Sequence, residues 1–253
     1  MSGAVDVARR ALACLDLTDL APSGRPADID RLCARAVSPH GPVAAVCVLP
    51  RFVAQARTAL AGTGVRVATV INFPGGDRPD DFILAMVADV LGDGAEEIDL
   101  VIPWRQLLLG QGDGVDACVR RVRKASPGVT LKTILETGML GDPGLIRQAA
   151  EIAVAEGTDF LKTSTGMVEI NATPEAVAVL LQVIAAADRP IGLKPSGGIR
   201  TTTDAAGYLA QADAAMGPDW AAPGTFRFGA SSLLDALIAT IDGRDEAPEA
   251  AGY

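Results

Sequence analysis

The sequence predicts an α/β protein whose single large domain is a closed (β/α)8 TIM barrel. Eight short apolar runs recur along its 253 residues, each rich in Val, Ile, Leu or Thr and bounded by Gly, Pro or Asp. Longer stretches with helical character separate the runs, which indicates parallel strands joined by crossover helices. Eight such units within about 240 residues fit a closed barrel better than an open doubly wound sheet.

The elements are expected in a simple order along the chain. An extra N-terminal helix, roughly 5–14, precedes the first strand and covers the bottom of the barrel. The helix that begins at Pro174 is expected to take Thr173 as its N-cap, with proline at the first helical position. We expect 1–242 to form the barrel and the acidic segment 243–253 to form a flexible C-terminal tail. The strand-like runs are 15–18, 44–50, 67–73, 97–103, 131–136, 160–165, 191–197 and 226–231.

Composition excludes several classes of function. The 31 acidic and 22 basic residues give a net charge of -9, so the surface repels nucleic acid and anionic membranes, and neither is an expected partner. The single histidine, His40, reads as a loop residue and leaves no multi-histidine metal site. Four scattered cysteines and no stretch of 18 apolar residues favour a reduced, cytoplasmic protein.

Lysine is rare, and its positions are informative. The four lysines are Lys124, Lys132, Lys162 and Lys194, and the last three lie inside strand patterns where apolar residues are expected. Lys162 and Lys194 are one βα unit apart, which places them on neighbouring strands about 5 Å apart. At an effective dielectric near 20, two ammonium groups at about 5 Å repel by on the order of 3 kcal/mol, or roughly two pK units.

One of these two lysines is therefore expected to be a free amine near neutral pH, as a Schiff-base nucleophile must be. Asp99 is the best-placed carboxylate for the accompanying proton transfers. The alternative is a purely structural network in which the lysines pair with Asp16, Asp99 and Glu136. Two lysines on adjacent strands of a lysine-poor chain favour the nucleophile. Lys132 is expected to pair with Glu136 or another inward carboxylate.

The loops after the last three strands resemble a phosphate site. Gly197 and Gly198 follow strand seven and let backbone N–H groups approach an anion, while Arg200 adds charge. Loops seven and eight of this fold often hold phosphate. The residues expected there are Thr165, Gly166, Gly197, Gly198, Arg200, Gly229, Ser231 and Ser232. Cys47, on strand two, is read as a buried small hydrophobe, with a reactive thiol near the pocket as the alternative.

The motifs LDLT, VCVLPRF, ATVINFP, EIDLVIPWR, ILETG, DFLKTSTG, GLKPSGGIR and RFGASS together resemble the deoxyribose-phosphate aldolases, metal-independent Schiff-base enzymes with a (β/α)8 fold. The resemblance runs from about Leu15 to the C-terminus. It implies reversible cleavage of 2-deoxy-D-ribose 5-phosphate to glyceraldehyde 3-phosphate and acetaldehyde, without a cofactor or metal. It also implies a homodimer whose partners are a small sugar phosphate and acetaldehyde.

By position, the resemblance makes Lys162 the Schiff-base residue and Lys194 the group that lowers its pKa. Asp99 would relay protons through a water, and Asp16 would join the polar network near the substrate hydroxyls. Tyr253, the last residue, would reach the active site and assist proton transfer, or be an incidental end of the tail. Met167 stands where relatives commonly have a phosphate-holding lysine, which implies weaker selection for phosphorylated substrates.

Two other functions remain open at this point. Another Schiff-base aldolase, acting on a ketose phosphate, would share the lysine pair and differ in the acceptor pocket. A non-catalytic barrel that binds sugar phosphates would have no need to keep a destabilising pair of like charges, so the set Asp99, Lys162 and Lys194 argues against it.

Overall fold

The computed structural model describes residues 2–244, and eight parallel strands form its barrel. The neighbour order is β8-β1-β2-β3-β4-β5-β6-β7, and β7 meets β8 through bridges that close the ring. In that closure the Arg227 N–H donates to the Leu193 carbonyl at 2.9 Å, and the Gly229 N–H donates to the Pro195 carbonyl at 2.9 Å. The predicted barrel is confirmed. Its strands are β1 Leu15–Asp19, β2 Ala45–Val48, β3 Arg66–Ile71, β4 Glu97–Val101, β5 Thr130–Ile134, β6 Phe160–Lys162, β7 Gly192–Lys194 and β8 Phe228–Ala230.

Helices surround this barrel, and the predicted N-terminal helix leads directly into β1. That helix packs against the last two helices of the chain, and its residues Ala8, Ala11 and Leu12 are buried. A small hairpin, Val37–Ser38 with Gly41–Pro42, was not expected, and His40 lies in its turn. The helices are α1 Ser2–Ala13, α2 Pro26–Arg35, α3 Val53–Ala59, α4 Asp80–Gly92, α5 Trp104–Leu108, α6 Gly112–Ala125, α7 Thr137–Leu140, α8 Pro143–Ala155, α9 Pro174–Ala186, α10 Thr202–Met216 and α11 Leu233–Ile241, with a 3-10 turn at Pro50–Phe52.

Local capping explains where several helices begin. The Thr173 hydroxyl accepts the N–H of Ala176 at 3.1 Å, as the sequence predicts for the start of α9. A capping box of Thr201 and Asp204 begins α10 directly after the loop that follows β7. Because these caps fix the first turn of each helix, they also fix the ends of the loops at the carboxyl side of the barrel.

The barrel interior is layered, because alternate residues of each strand point inward. On β6 these residues are Phe160 and Lys162, and on β7 they are Gly192 and Lys194, paired in register across the two strands. A Cβ atom at Gly192 would overlap the ring of Phe160, so the glycine makes room for the aromatic side chain. The lysines form the layer above, nearer the carboxyl ends of the strands.

Seven of the eight predicted strand runs extend beyond the observed strands at their carboxyl ends, whereas the first, 15–18, ends one residue before β1 does. The run 191–197, for example, contains only three strand residues, Gly192–Lys194, and then enters the loop that closes against β8. The boundary proposed between a barrel domain and a tail stays a prediction, since 245–253 lie outside the described residues. No helix within 2–244 is long and apolar enough to span a bilayer.

Candidate active site

Lys162 and Lys194 lie side by side in the upper layer of the barrel. They are register partners on β6 and β7, as their spacing predicts, and both are buried. Their Nζ atoms donate to the same oxygen, Oδ2 of Asp99, at 2.8 and 2.7 Å. Asp99 reaches them from β4, where its side chain is also fully buried. One carboxylate oxygen thus holds two amines in place.

Further charged groups surround Asp99. Lys132 donates to its other oxygen, Oδ1, at 2.9 Å. Asp16, on β1, accepts from Lys194 at 2.6 Å and lies 3.4 Å from Nζ of Lys132. Side chains from four strands, β1, β4, β5 and β7, therefore meet β6 inside the barrel. The four predicted polar residues Asp16, Asp99, Lys162 and Lys194 are brought together.

A second pair of charges lies one layer deeper. Arg227 donates to Asp16 at 2.6 Å and to the two oxygens of Glu97 at 2.9 and 3.1 Å. Glu97 also contacts Lys132, with 2.5 Å between Oε2 and Nζ. Lys132 therefore pairs with Glu97, Asp99 and Asp16, which are inward carboxylates as expected, and not with Glu136.

This cluster holds four basic side chains and three carboxylates in direct contact. Burial would raise the pKa of Asp16 and Asp99, but the neighbouring lysines and, at Asp16, Arg227 hold both values below the ordinary range. Burial would lower the pKa of Lys132 and Lys194, but their carboxylate partners raise both. Lys162 differs, because burial and the Lys194 ammonium lower its pKa against the attraction of Asp99.

Lys162 is thus the lysine of this cluster that most readily becomes a free amine. The reason is its set of partners: Lys132 touches three carboxylates, Lys194 touches two, and Lys162 touches only Asp99. A neutral amine beside a carboxylate and an ammonium is an arrangement suited to adding to a carbonyl carbon and moving the protons that follow.

Cys47 lies at the edge of this cluster. Its Sγ is 4.0 Å from Oδ2 of Asp99, and its side chain is fully buried. Burial, with Asp99, raises the pKa of Cys47 to about 11. The thiol is therefore protonated at neutral pH, which disfavours a thiolate nucleophile at this position.

The loop after β6 is held by a carboxylate. Glu136 accepts the backbone N–H of Thr165 at 3.1 Å and its hydroxyl at 2.7 Å. Glu136 is buried and has a left-handed backbone, with φ 56 and ψ 54. A buried non-glycine residue in this conformation is a marker of functional sites. Glu136 was expected as a carboxylate partner of the strand lysines, and its left-handed backbone gives no signal in the sequence.

Seven of the eight expected phosphate residues lie on the three loops at the carboxyl ends of β6, β7 and β8, and the eighth, Gly229, lies within β8. Gly166, Gly197 and Gly198 have φ values of 85, 82 and 78, which favour glycine. The N–H of Gly197 donates to the carbonyl of Gly229 at 3.2 Å. The N–H of Gly229 donates to the Pro195 carbonyl, one of the hydrogen bonds that close the barrel. These two amides belong to the sheet, so Gly197 and Gly229 contribute close backbone approach, whereas Gly198 is exposed in the loop.

The remaining predicted residues lie on the rim. Ser231 and Ser232 are exposed and immediately precede α11, with Ser232 at the N-cap. Arg200 is half-buried and its backbone N–H donates to Asp204 at 2.9 Å, which fixes the loop to α10. Tyr253 lies outside the described residues.

Sequence reasoning missed Glu97 and Arg227 as members of the cluster. Glu97 is two residues before Asp99 and Arg227 is two residues before Gly229, so strand periodicity places each on an inward face. That periodicity was the available signal. In residues 2–244 no group of three or more His, Cys, Asp or Glu side chains is arranged to hold a metal ion.

Comparison with known proteins agrees with this geometry. A family model described as DeoC/LacD family aldolase matches 11–238. The chain belongs to the DeoC/LacD family of aldolases. This aldolase is therefore a carbon–carbon lyase that carries its Schiff-base machinery inside a TIM barrel.

Individual relatives give the same answer. The aldolase is 48% identical over 250 residues to the deoxyribose-phosphate aldolase of Agrobacterium fabrum (strain C58 / ATCC 33970), covering 98% of this chain and 96% of that protein. A deoxyribose phosphate aldolase from Aeropyrum pernix, described as a tetramer, matches with a TM-score of 0.75 and 25% identity, covering 95% of this chain and 93% of that one. A candidate deoxyribose-phosphate aldolase from Coccidioides immitis matches with a TM-score of 0.83 and 30% identity, covering 92% of this chain and 86% of that one.

Proposed function

We propose that this aldolase cleaves 2-deoxy-D-ribose 5-phosphate reversibly to D-glyceraldehyde 3-phosphate and acetaldehyde, with Lys162 as the Schiff-base residue. The observation that carries the proposal is the buried pair Lys162 and Lys194 on one oxygen of Asp99, at 2.8 and 2.7 Å. The substrate follows from the similarity to the relative from Agrobacterium fabrum, which covers nearly the whole of both chains.

Catalysis begins with the neutral amine of Lys162. Its Nζ adds to the aldehyde carbon C1 of the open-chain sugar, and the carbinolamine oxygen leaves as water once it is protonated. Lys194 stays charged because Asp16 and Asp99 raise its pKa, so it remains the cation that keeps the proton affinity of Lys162 low. Asp99 contacts both amines and is the carboxylate placed to move the protons.

Carbon–carbon cleavage then uses the iminium as an electron sink. Loss of the C3 hydroxyl proton breaks the C2–C3 bond, the electron pair passes to C2 and nitrogen as an enamine, and glyceraldehyde 3-phosphate departs. Protonation of C2 and hydrolysis release acetaldehyde and return the free lysine. Asp99 and Asp16, both ionised in the cluster, are proposed to serve these proton transfers directly or through water.

The phosphate is proposed to bind on the rim formed by the last three loops. Positive-φ glycines bring backbone close to the ligand, Arg200 contributes charge, and the N-terminus of α11 favours an anion beside Ser231 and Ser232. No cofactor or metal is required by this scheme. The proposed substrate-binding residues are Thr165, Gly166, Gly197, Gly198, Arg200, Gly229, Ser231 and Ser232.

We further propose a cytoplasmic homodimer. The four cysteines are all free and buried, which supports a reducing compartment. The tetramer described for the Aeropyrum pernix relative supports self-association without fixing the number of subunits.

The test combines product analysis with trapping of the covalent intermediate. The protein is incubated with acetaldehyde and borohydride, and its lysines are mapped by mass spectrometry. We expect one ethyl group on Lys162, none on Lys162→Leu, and unchanged labelling in Lys124→Leu, which removes an exposed lysine of α6. Wild-type protein should also release acetaldehyde from deoxyribose 5-phosphate. An unmodified, folded wild type would overturn the aldolase mechanism, and cleavage of a ketose phosphate in place of this sugar would overturn the substrate.

A further inference from the structure

Beneath the reactive lysines lies an ion pair that is too deep to serve as a substrate contact. Arg227 and Glu97 are 6% and 3% exposed and bind each other through two hydrogen bonds of 2.9 and 3.1 Å. Arg227 is fixed further by its Nε, which donates to the Pro223 carbonyl at 2.6 Å, and by the face of Phe160, 5.6 Å from its guanidinium carbon. Two charges held this firmly inside a barrel are costly to desolvate, so a purpose is expected.

The pair is connected to Lys162 through the charged groups of the layer above. Arg227 binds Asp16 at 2.6 Å, Asp16 binds Lys194 at 2.6 Å, and Lys194 shares an oxygen of Asp99 with Lys162. Glu97 is connected to the same layer through Lys132, which binds both Glu97 and Asp99. A change of charge at either member therefore changes the potential at Lys162.

The strands around Lys162 present both apolar and charged side chains to it. The strand β3 presents the apolar residues Ala68 and Val70, which pair in register with Glu97 and Asp99. Glu136, after β5, binds Thr165, and the nearby Arg105 donates to the Gly75 carbonyl at 2.6 Å. The titratable and charged groups facing the site are Asp16 from β1, Cys47 from β2, Glu97 and Asp99 from β4, Lys132 and then Glu136 from β5 and its loop, Lys194 from β7, and Arg227 before β8.

We propose that Arg227 and Glu97 are positioning residues that set the charge state of Lys162. They do so because the contact cluster contains one more basic side chain than it has carboxylates. The proposal rests on the proposed function, because it explains how the Schiff-base lysine is kept free. It adds two residues whose role is electrostatic and does not involve touching the substrate.

The reason lies in the number of carboxylates. Three carboxylates can neutralise only three cations. Because a guanidinium does not lose its proton, Arg227 always neutralises part of the negative charge of Asp16 and Glu97. One of the three lysine amines is then left without a carboxylate charge to neutralise it, and its protonated form is disfavoured. This amine is Lys162, because it contacts a single carboxylate, whose oxygen it shares with Lys194.

The proposal predicts opposite shifts for two neutral variants. Arg227→Gln removes a cation and should raise the pH at which Lys162 becomes half-reactive by about one unit, whereas Glu97→Gln removes an anion and should lower it by about one unit. A residue with a purely structural role would impair the enzyme without moving this midpoint in opposite directions.

The experiment measures the rate of reductive ethylation of Lys162 with acetaldehyde and cyanoborohydride against pH, by peptide mapping. The pH profile of kcat/KM for deoxyribose 5-phosphate cleavage is recorded alongside. The charge-conserving variants Arg227→Lys and Glu97→Asp should restore the wild-type midpoint. Matched controls come from a surface pair whose atoms are 3.1 Å apart: Arg66→Gln and Glu96→Gln make the same changes outside the barrel and should leave the midpoint unchanged.

The outcomes are distinguishable. Shifts in opposite directions support the proposal. Unmoved midpoints, or shifts of the same sign, in folded Arg227→Gln and Glu97→Gln overturn it. If Arg227→Gln does not fold, the downward shift in Glu97→Gln and its recovery in Glu97→Asp decide alone. Wild-type protein that is ethylated at Lys162 but does not cleave deoxyribose 5-phosphate would overturn the proposed substrate. It would not affect the proposed role of Arg227 and Glu97.

Discussion

Lys132 and Lys162 are the same residue type in the same barrel interior, and their surroundings give them opposite properties. Lys132 has carboxylate oxygens at 2.5, 2.9 and 3.4 Å from Glu97, Asp99 and Asp16, whereas Lys162 has one at 2.8 Å from Asp99. Burial opposes the charged form of both. Because only Lys132 has enough partners to outweigh burial, its pKa is raised while that of Lys162 is lowered.

This contrast predicts opposite effects of methionine on stability. Lys162→Met should raise the free energy of unfolding at pH 7 by about 1 to 2 kcal/mol, and Lys132→Met should lower it by about 3 to 5 kcal/mol, because it leaves buried carboxylates unpaired. The sign at Lys162 follows from its lowered pKa: the folded chain has a lower proton affinity at this residue than the unfolded chain, so folding is penalised below the ordinary lysine pKa.

The same linkage fixes the pH dependence of the Lys162→Met effect. The gain should shrink as pH rises toward the ordinary lysine value of 10.5, where the unfolded chain also loses the proton. Denaturant unfolding of both variants at pH 7 and at higher pH measures this directly. Destabilisation by Lys162→Met at pH 7 would contradict this prediction, because it would show that the contact with Asp99 outweighs the cost of burying the Lys162 ammonium.

Met167 concerns substrate selection. It is 49% exposed after the Thr165 turn, where its N–H donates to the Thr165 hydroxyl at 3.1 Å. We expect Met167→Lys to add an ion pair worth about 1 kcal/mol with a bound phosphate, or roughly five-fold in the KM ratio of deoxyribose to deoxyribose 5-phosphate. Leu109→Lys, at an exposed apolar position after α5, is the control for added charge. An unchanged ratio in Met167→Lys would remove this residue from the phosphate site.

At the scale of the elements, the closure of β7 against β8 positions Lys194. Gly229 lies where a Cβ atom would be 3.0 Å from Cε of Lys194 and would overlap the Ser196 hydroxyl. The amides of Gly197 and Gly229 bond across this seam. The seam is therefore tight because its glycines allow the two strands and the lysine stem to approach.

Alanine at Gly229 should consequently displace Lys194. We expect Gly229→Ala to lower stability by about 1 to 3 kcal/mol and to reduce kcat at least about ten-fold. Gly207→Ala is the matched control, because its Cβ atom would meet nothing within 4 Å on the exposed side of α10. That change should raise stability by up to about 1 kcal/mol. Wild-type kcat in Gly229→Ala would show that Lys194 tolerates the intrusion.

Element order was predictable because strand runs and helix caps are local. Thr173 and Pro174 identify the start of α9 without tertiary information. Strand ends were not predictable to the same degree, since apolar residues continue into the loops that pack over the barrel mouth. The hairpin at 37–42 was missed because its strands have two residues each and no alternating pattern.

At the scale of the whole molecule, closure of the barrel creates the contacts that no local pattern reveals. Lys162 and Lys194 could be paired in advance because one βα unit separates neighbouring strands. Arg227 and Glu97 are 130 residues apart and meet across the interior. Their inward faces follow from strand periodicity, but which groups touch depends on how eight strands converge.

The central claim is that this convergence leaves Lys162 as the neutral amine. Because the chain has four lysines, labelling with ¹³Cε-lysine yields four NMR signals, assigned with Lys124→Arg and with conservative variants of the other three. Titration of these signals against pH measures each pKa. We expect Lys162 to titrate below the ordinary lysine value of 10.5, and Lys132 and Lys194 to titrate above it. A Lys162 signal that stays protonated as long as that of Lys194 would contradict the account.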